Sequence, residues 1–365
     1  METRFVTIDE REPQADRIEA AAKIIKDGGL VAFPTETVYG LGGNALDPEA
    51  SRRIYAAKGR PSDNPLIAHI ADFAQLGPLV AEIPEAAQIL MKKYWPGPMT
   101  LIFRKSQLVP ESTTGGLDTV AVRMPSHPVA RALIRAAGVP IAAPSANLSG
   151  RPSPTRASHV REDMDGRIDM ILDGGEVGIG LESTIIDVTG EEPSLLRPGF
   201  ISEEMIRELF ADMTVDAASI GPVSPDMHPK APGMKYRHYA PRAQMTIVRG
   251  GQEAVRQKIC ALAGEELRAG RKTGLICTTE SRPFYEEKLR PLLGGSENAG
   301  ERLDLVTVGS RRDGSSIAHN LYDVLRSFDT AGVDVIYSES FEEGQLGGAI
   351  MNRLKKAAGY HILDV

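Results

Sequence analysis

Residues 33–69 read FPTETVYGLGGNALDPEASRRIYAAKGRPSDNPLIAH, and much of the order of elements follows from them. The apolar run 30–33 has the length and composition of a buried strand, which Pro34 ends because it has no N–H to donate. The glycines of the GLGG segment predict a loop whose backbone turns sharply and approaches a ligand. The Asp-Pro-Glu that follows predicts the start of a helix.

Two cations follow that predicted helix. Lys58 lies near its end, and Arg60 precedes a proline and is therefore expected to be extended. A strand, a loop rich in glycine and hydroxyls, a helix and a Lys-x-Arg loop together suit the binding of phosphates. The alternative is a glycine-rich surface turn beside a solvated basic loop. Neither the Walker pattern nor G-x-G-x-x-G is present in this stretch.

Polar residues also lie at the ends of four other predicted strands. Arg123 ends one strand, and such a cation anchors a carboxylate or phosphate, or else caps a helix at the surface. Ser145 and Asn147 follow a second strand and are interpreted as hydrogen-bonding groups. Ser183 precedes a third strand and Arg197 ends a fourth. Taken jointly with Lys58 and Arg60, they predict a polar pocket for an anionic ligand.

The composition is that of an ordinary globular protein. The chain has 365 residues, which suits two domains, and 42% of them are hydrophobic. The net charge of -7 argues against a general nucleic-acid binder, although a local basic patch stays open. No apolar run approaches the ~20 residues of a membrane span, and METRFVTIDE lacks the apolar core of a signal peptide. We therefore expect a cytoplasmic protein without membrane contact.

A change of composition divides the chain. Residues 1–212 form the first predicted domain, and the proline-rich residues 213–243 form a linker. The cationic and aromatic second half of that linker, 231–241, suits a lid over the pocket. Residues 244–365 alternate strands with helices and predict a doubly wound α/β domain with a mostly parallel sheet.

The histidines and cysteines are not spaced like metal ligands. The 7 histidines form no H-E-x-x-H and no Cys/His zinc pattern, so no metal held by protein ligands is expected. Cys260 and Cys277 lie in apolar surroundings and are interpreted as core residues. A magnesium ion carried by a nucleotide needs few protein ligands, so this pattern does not bear on it.

Several motifs occur in a fixed order within residues 18–200. They are PTETVYGLG, KGRPxxxPLIxH, WPGPxT, RxPxHP with APSANxSG, and ESTIID with LRPG. Together they resemble the YrdC-like threonylcarbamoyl-AMP synthases, and PGMKYRHYAP before an α/β pattern resembles the long, two-domain form. The resemblance implies a YrdC-like twisted mixed α/β N-terminal domain, joined by a Pro-rich linker to a smaller Rossmann-like C-terminal α/β domain.

That family makes L-threonylcarbamoyladenylate from L-threonine, bicarbonate and ATP, with Mg2+ accompanying ATP, and releases pyrophosphate. A partner transferase then modifies the adenosine beside the anticodon of tRNA, so contact with tRNA is expected to be indirect. The residues that the resemblance assigns to ATP are Lys58, Arg60, Asn64, Thr119, Ser145, Asn147, Ser153, Arg197 and Tyr236. Those assigned to L-threonine are Thr35, His69, Arg123 and Ser183.

The residue types suit that chemistry. Arg123 can hold the carboxylate of an amino acid, while Lys58 and Arg60 neutralise phosphate charge. No protein nucleophile is expected, because transfer at the α-phosphorus needs positioning and charge neutralisation. Tyr236 would belong to a lid that protects hydrolysable intermediates.

Two alternatives remain open. One is an RNA-binding module without catalysis, against which the net charge of -7 and the small number of aromatic residues argue. The other is carbamoyl transfer, as in hydrogenase-maturation proteins that contain a related domain. Those proteins carry zinc-finger segments, and this chain has no C-x-x-C.

Overall fold

The computed structural model describes residues 2–221, 229–234, 238–293, 302–342 and 344–365. These residues fall into two compact units. The N-terminal unit contains the described residues up to 149 and from 153 to 234, and the C-terminal unit contains 150–152 and the described residues from 238 onward. Nothing in these ranges is a helix with the length and hydrophobicity needed to cross a bilayer.

Strands from distant parts of the chain build the sheet of the N-terminal unit. Within the described residues they are β1 Arg4–Thr7, β2 Val31–Phe33, β3 Gly40–Asn44, β4 Ile67–His69, β5 Met99–Arg104, β6 Thr119–Arg123, β7 Ile141–Ala142, β8 Met170–Asp173, β9 Thr184–Asp187, β10 Ser194–Arg197 and β11 Thr214–Val215. Their order is β1-β8-β2-β3-β7-β4-β6-β5-β9-β10-β11. The pairs β4–β6 and β5–β9 are parallel, whereas β2–β3 and β5–β6 are antiparallel. The predicted mixed α/β fold is confirmed.

Helices cover this sheet. They are α1 Ala15–Lys26, α2 Pro48–Lys58, α3 Glu85–Tyr94, α4 Glu111–Thr114, α5 Pro128–Ala137, α6 Ala157–Met164, α7 Glu203–Arg207 and α8 Ala217–Ile220. The start of α2 follows its sequence signal, because the Asp47 side chain accepts a hydrogen bond from the Glu49 N–H at 2.9 Å. Helices α1 and α5 pack one hydrophobic core against β2 and β8, and a second core includes side chains of α2 and α3.

The prediction of a glycine-rich loop after Pro34 is wrong. Gly40, Gly42 and Gly43 lie in strand β3, which pairs antiparallel with β2. A Cβ at Gly42 would lie 2.7 Å from both Ile141 and Phe33 side-chain atoms. These glycines therefore serve close packing of neighbouring side chains rather than a turn around a ligand.

The C-terminal unit has a parallel sheet. Its strands are β12 Gln244–Arg249, β13 Thr273–Thr278, β14 Leu303–Gly309, β15 Val335–Glu339 and β16 Ile362–Asp364, in the order β14-β13-β15-β12-β16. The helices are α9 Gln252–Arg268, α10 Arg282–Leu289, α11 Gly314–Ala331 and α12 Gly347–Ala357. Helix α9 contacts α10, and α11 contacts α12, as expected for two helical layers on opposite faces of the sheet. The predicted Rossmann-like architecture is confirmed.

Parts of the predicted linker 213–243 are described. Thr214 and Val215 extend the first sheet by pairing with β10 in parallel, and α8 follows them. Ala231 and Met234 are buried in a hydrophobic cluster of the N-terminal unit. Residues 222–228 and 235–237 lie outside the described residues, so the linker as a whole stays a prediction.

Candidate active site

A row of polar side chains crosses neighbouring strands of the first sheet. His69 at the end of β4 is the register partner of Arg123 at the end of β6, and Arg123 is the partner of Thr100 on β5. Neighbouring strands lie about 4.8 Å apart, and register partners point to the same face. All three residues are buried. The sheet therefore gathers a cation, an imidazole and a hydroxyl on one face.

Arg123 is the centre of this row. Its Nη2 lies 2.8 Å from Oε1 of Glu36, and its Nη1 donates to the Thr37 hydroxyl at 2.9 Å. Its Nε is buried and makes no hydrogen bond to a described residue. Burial opposes ionisation of Glu36, but the charge of Arg123 holds the pKa of that carboxyl below its usual value. The site therefore contains a buried ion pair with one guanidinium donor unused.

His69 is a neutral imidazole. Burial, together with the charge of Arg123, lowers its pKa to about 3. Its Nδ1 lies 3.0 Å from the carbonyl oxygen of Ile67, which can only accept, so Nδ1 carries the proton. The ring also meets Phe33 edge to face, with centroids 6.5 Å apart. These contacts fix the orientation of the ring, while burial and the charge of Arg123 keep it neutral.

Thr35 organises the turn after β2. Its hydroxyl donates to the Val38 carbonyl oxygen at 2.6 Å and lies 2.9 Å from the Thr37 hydroxyl. The backbone N–H groups of Thr37 and Val38 also donate to the Thr35 hydroxyl oxygen, at 3.2 and 3.3 Å. This local turn places Thr37 where it accepts from Arg123.

Ser183 and Arg197 extend the network beyond β5. The Ser183 hydroxyl lies 2.8 Å from the Thr100 hydroxyl. Arg197 Nη2 donates to the Ser183 carbonyl oxygen at 2.9 Å, and Nη1 donates to the carbonyl oxygen of Pro232 at 3.1 Å. The guanidinium thus ties strand β10, the loop before β9 and the segment 229–234 together.

All residues assigned to L-threonine lie in this one network. Thr35 is linked to Arg123 through Thr37, and Arg123 is flanked by His69 and Thr100. Thr100 in turn contacts Ser183. Residues separated by up to 148 positions in the sequence are therefore neighbours in the fold, with only Thr37 and Thr100 between them.

Lys58 holds the loop that follows β7. Its ammonium donates to the carbonyl oxygens of Ser145 and Asn147, both at 2.5 Å, and the side chain is buried. The Ser145 hydroxyl donates to Asn147 Oδ1 at 2.5 Å. Ser145 also bridges to Gly40 of β3. Lys58 therefore brings a positive charge and a structural anchor to the same loop.

Arg60, Asn64 and Thr119, which are also assigned to ATP, lie toward the opposite end of β4 and β6. Arg60 donates to the carbonyl oxygens of Asn64 and Pro65 at 3.2 and 3.0 Å. Asn64 is buried, and its Oδ1 makes no hydrogen bond to a described residue. Thr119 begins β6, so it lies about 13 Å from Arg123 and on the same face. Ser153 donates to Glu182 Oε1 at 2.5 Å.

A short segment covers the middle of this face. Ala231 and Met234 pack with Ile67, Ala121 and Ile102 of the first sheet. Each of these three strand residues lies two positions from a member of the polar row, namely His69, Arg123 and Thr100 respectively. Positions two apart on a strand share a face, so the segment lies beside the polar row. Tyr236, the predicted lid residue, lies outside the described residues.

The sequence did not single out some residues that complete the site. Glu36 and Thr37 lie within the quoted PTET, but nothing in the sequence showed that they face Arg123 from another strand. Thr100 lies in the quoted WPGPxT, and only the β5–β6 register reveals its position. Across the described ranges, no group of three or more His, Cys, Asp or Glu side chains is arranged to hold a metal ion.

Comparisons with known proteins agree with this architecture. A family model described as "Telomere recombination" matches residues 23–199, and one described as "Threonylcarbamoyl-AMP synthase, C-terminal domain" matches residues 201–359. A threonylcarbamoyl-AMP synthase of Pyrococcus abyssi is 51% identical over 96% of both chains, and that of Bacillus subtilis is 47% identical over 98% of both.

A solved structure extends the likeness to the whole fold. The crystal structure of P. abyssi Sua5 complexed with L-threonine aligns with a TM-score of 0.89 at 48% identity and covers 100% of both chains. With both domain types matched in order and relatives aligned over nearly their full length, the chain belongs to the threonylcarbamoyl-AMP synthase family.

Proposed function

We propose that this chain is a nucleotidyltransferase that makes L-threonylcarbamoyladenylate and pyrophosphate from L-threonine, bicarbonate and ATP. The observation that carries the proposal is the continuous network joining Thr35, His69, Arg123 and Ser183. The relative from P. abyssi was crystallised with L-threonine. The product would serve a transferase that modifies tRNA, and tRNA itself would not bind at this site.

Arg123 is the proposed anchor for the carboxylate of L-threonine. A guanidinium binds a carboxylate best through two parallel N–H groups on one edge. The Nη1 of Arg123 is held by Thr37, and Nε is buried without a hydrogen-bond partner among the described residues. Nη2 pairs with Glu36, so Nε–H is the donor proposed for one carboxylate oxygen, with Nη2 shared between the substrate and Glu36. The hydroxyls of Thr35 and Ser183 lie within the same network.

His69 is the proposed partner of an uncharged group of the substrate. Its low pKa keeps the imidazole neutral at physiological pH. A neutral ring beside Arg123 adds hydrogen-bonding capacity without a second positive charge. This suits recognition of the threonine hydroxyl.

The nucleotide is proposed to lie along β6. Thr119, Asn64 and Arg60 are at one end of the face and Arg123 is at the other, a separation of about 13 Å. An extended nucleotide spans that distance, with its α-phosphate toward the amino acid. Lys58, Ser145, Asn147, Ser153 and Arg197 are proposed to shape the phosphate end, and Mg2+ would be held mainly by phosphates and water.

Two chemical steps follow. The neutral amine of L-threonine attacks the carbon of bicarbonate or CO2 and forms a carbamate; water leaves when bicarbonate reacts, and a proton leaves to solvent when CO2 reacts. A carbamate oxygen then attacks the α-phosphorus, and the bond to pyrophosphate breaks. The protein's part is to align the two reactants and to neutralise charge, so no protein nucleophile is required.

Pyrophosphate release by the purified chain tests the proposal. With ATP and Mg2+ present, release should require both L-threonine and bicarbonate, and L-serine should be a much poorer substrate. Release that is indifferent to L-threonine would contradict the proposal. The alternative of an RNA-binding module predicts steeply salt-dependent tRNA binding without any release of pyrophosphate.

A further inference from the structure

A cavity lies wholly within the C-terminal unit. Its volume is about 140 Å³, and its walls come from the segments that follow β12, β13 and β14 and from the end of β15. In the sheet, β13 and β15 are neighbours. The connection from β13 runs through α10 to β14 on one side, and the connection from β15 runs through α12 past β12 to β16 on the other.

Because the connections from these two neighbouring strands run in opposite directions, a crevice opens beyond the carboxyl ends of the strands. In open α/β sheets this is where ligands bind. The helices that leave β13 and β15 belong to opposite layers, as the contacts α9–α10 and α11–α12 indicate. The cavity therefore has the position of a binding site for reasons of topology, independently of its residues.

One side of the cavity offers a cation. Arg256 projects from the first turns of α9, and its guanidinium lies over the Phe284 ring at 5.3 Å. Its Nη2 donates to Glu253, but its Nε is buried and has no hydrogen-bond partner among the described residues. Gly251 caps α9 without a side-chain hydrogen bond, so the first N–H groups of that helix add positive potential.

The other side offers carboxylates. Glu339 is 1% exposed, accepts from the Tyr285 hydroxyl at 2.9 Å and lies 2.6 Å from Arg311. Glu280 accepts from the Ser310 hydroxyl at 2.6 Å and from the Arg311 N–H at 3.0 Å. Burial opposes its ionisation, yet these donors lower the pKa of Glu280 to about 2. Glu280 is therefore anionic at neutral pH.

Charge and size restrict the ligand. The lining contains the carboxylates of Glu280, Glu339 and Glu342 against the guanidiniums of Arg256 and Arg311, a formal balance of -1. A purely anionic ligand would meet this excess of carboxylates, and a purely cationic one would leave the buried Nε of Arg256 without a hydrogen-bond partner. The volume of about 140 Å³ leaves room for a small molecule.

We propose that this crevice is a binding site for a free α-amino acid, separate from the site on the first sheet. The carboxylate of the ligand would face Arg256 and the start of α9, and its ammonium would face Glu280 and Glu342. The proposal does not depend on the function proposed above. It gives the C-terminal unit a role as a sensor of an amino acid.

Calorimetric titration of the full chain tests the proposal. An Arg123→Gln background removes the anchor proposed for L-threonine on the first sheet. Each of the common amino acids is titrated, with propionate and propylamine as probes that carry only one of the two charges. We expect at least one amino acid to bind with a stoichiometry near one, and neither single-charge probe to bind comparably.

Paired variants locate the binding. Arg256→Gln should weaken it at least about tenfold, equivalent to about 1.4 kcal/mol, whereas Arg290→Gln, an exposed arginine of the same unit, should change it by less than about twofold. Hydrogen exchange of the chain with intact Arg256 should show protection in 250–256 and 278–284 on adding the ligand.

The proposal would be overturned if no amino acid bound at about 10 mM, a concentration well above a weak Kd of 1 mM. It would also be overturned if Arg256→Gln and Glu280→Gln left the binding unchanged, or if the protection from exchange were confined to the N-terminal unit. If ATP instead of an amino acid protected residues 250–256 from exchange, the assignment of the ligand as an amino acid would be wrong. None of these results bears on pyrophosphate release.

Discussion

In the N-terminal unit, the polar side chains of the site come largely from neighbouring strands in register. His69, Arg123 and Thr100 share a row across β4, β6 and β5, and loops supply Glu36 and Ser183 at its edges. In the C-terminal unit, the polar side chains follow the ends of parallel strands and surround a crevice set by topology. The first site depends on register and the second on connectivity.

This difference has a consequence for recognition from sequence. Register brings together short, recognisable motifs such as PTET and RxPxHP, because each strand end must present particular residues. A crevice at a switch point needs no fixed fingerprint, since loops of many sequences can line it. The first site could therefore be predicted from the sequence, whereas the second could be identified only from the three-dimensional structure.

The largest expected effect concerns the centre of the first site. Arg123→Gln should lower kcat/KM for L-threonine by about 10²–10³-fold, because it removes a buried cation and leaves Glu36 without a partner. Steady-state pyrophosphate release measures this. Arg135→Gln, a half-exposed arginine on α5, is the matched control and should be nearly silent. Equal effects of both variants would mean that Arg123 has no special role in binding L-threonine.

A smaller effect is expected from the clamp between β10 and the segment 229–234. Arg197→Lys keeps the charge but cannot donate to both Ser183 and Pro232 as the planar guanidinium does. We expect kcat to fall by about tenfold, which corresponds to about 1.4 kcal/mol, and hydrogen exchange of 229–234 to become faster. Unchanged exchange in that segment would show that the clamp is not what holds it.

His69 should give the first site a pH-dependent stability. Its folded pKa of about 3 lies below the ordinary value of 6.5, so the unfolded chain binds the extra proton between these values and stability falls as pH drops below 6.5. The contribution is about 2 kcal/mol between pH 6.5 and 5. Urea unfolding of the parent and of His69→Gln should show a shallower pH dependence in the variant. Identical slopes would mean that burial and the charge of Arg123 do not keep His69 neutral.

The smallest effect on catalysis is expected in the C-terminal unit, where the change concerns stability. Tyr285→Phe removes the hydroxyl that donates to buried Glu339 and should cost about 1–3 kcal/mol of stability. Tyr360→Phe, at a half-buried position, is the control. Urea unfolding followed by hydrogen exchange should locate the loss in the C-terminal unit, while the rate of pyrophosphate release stays the same. Loss of that activity would tie the two sites together.

Several features of the fold were predictable from local signals. Asp47 and Pro48 marked the start of α2, and the strand and helix alternation after residue 244 gave the parallel sheet. The glycines of β3 misled because a glycine needed for close packing looks the same in sequence as one needed for a turn. Only the neighbouring Phe33 and Ile141 side chains distinguish the two cases.

The candidate site was predictable in its parts but not in its connections. Arg123 and His69 ended their strands as expected, yet their adjacency depends on the β4–β6 pairing. Lys58 was expected near phosphates, and the structure adds that its ammonium holds the carbonyl oxygens of Ser145 and Asn147. Glu36 escaped notice because the charge it balances lies 87 positions away in the sequence.

Direct detection of the product tests whether the chain makes L-threonylcarbamoyladenylate. The purified chain is incubated with ATP, Mg2+, L-threonine and ¹³C-labelled bicarbonate, and the nucleotides are analysed by mass spectrometry. We expect a threonylcarbamoyl adenylate that carries the labelled carbon and is not formed by the Arg123→Gln variant. Formation of AMP alone, or of an adenylate that lacks the label, would contradict it.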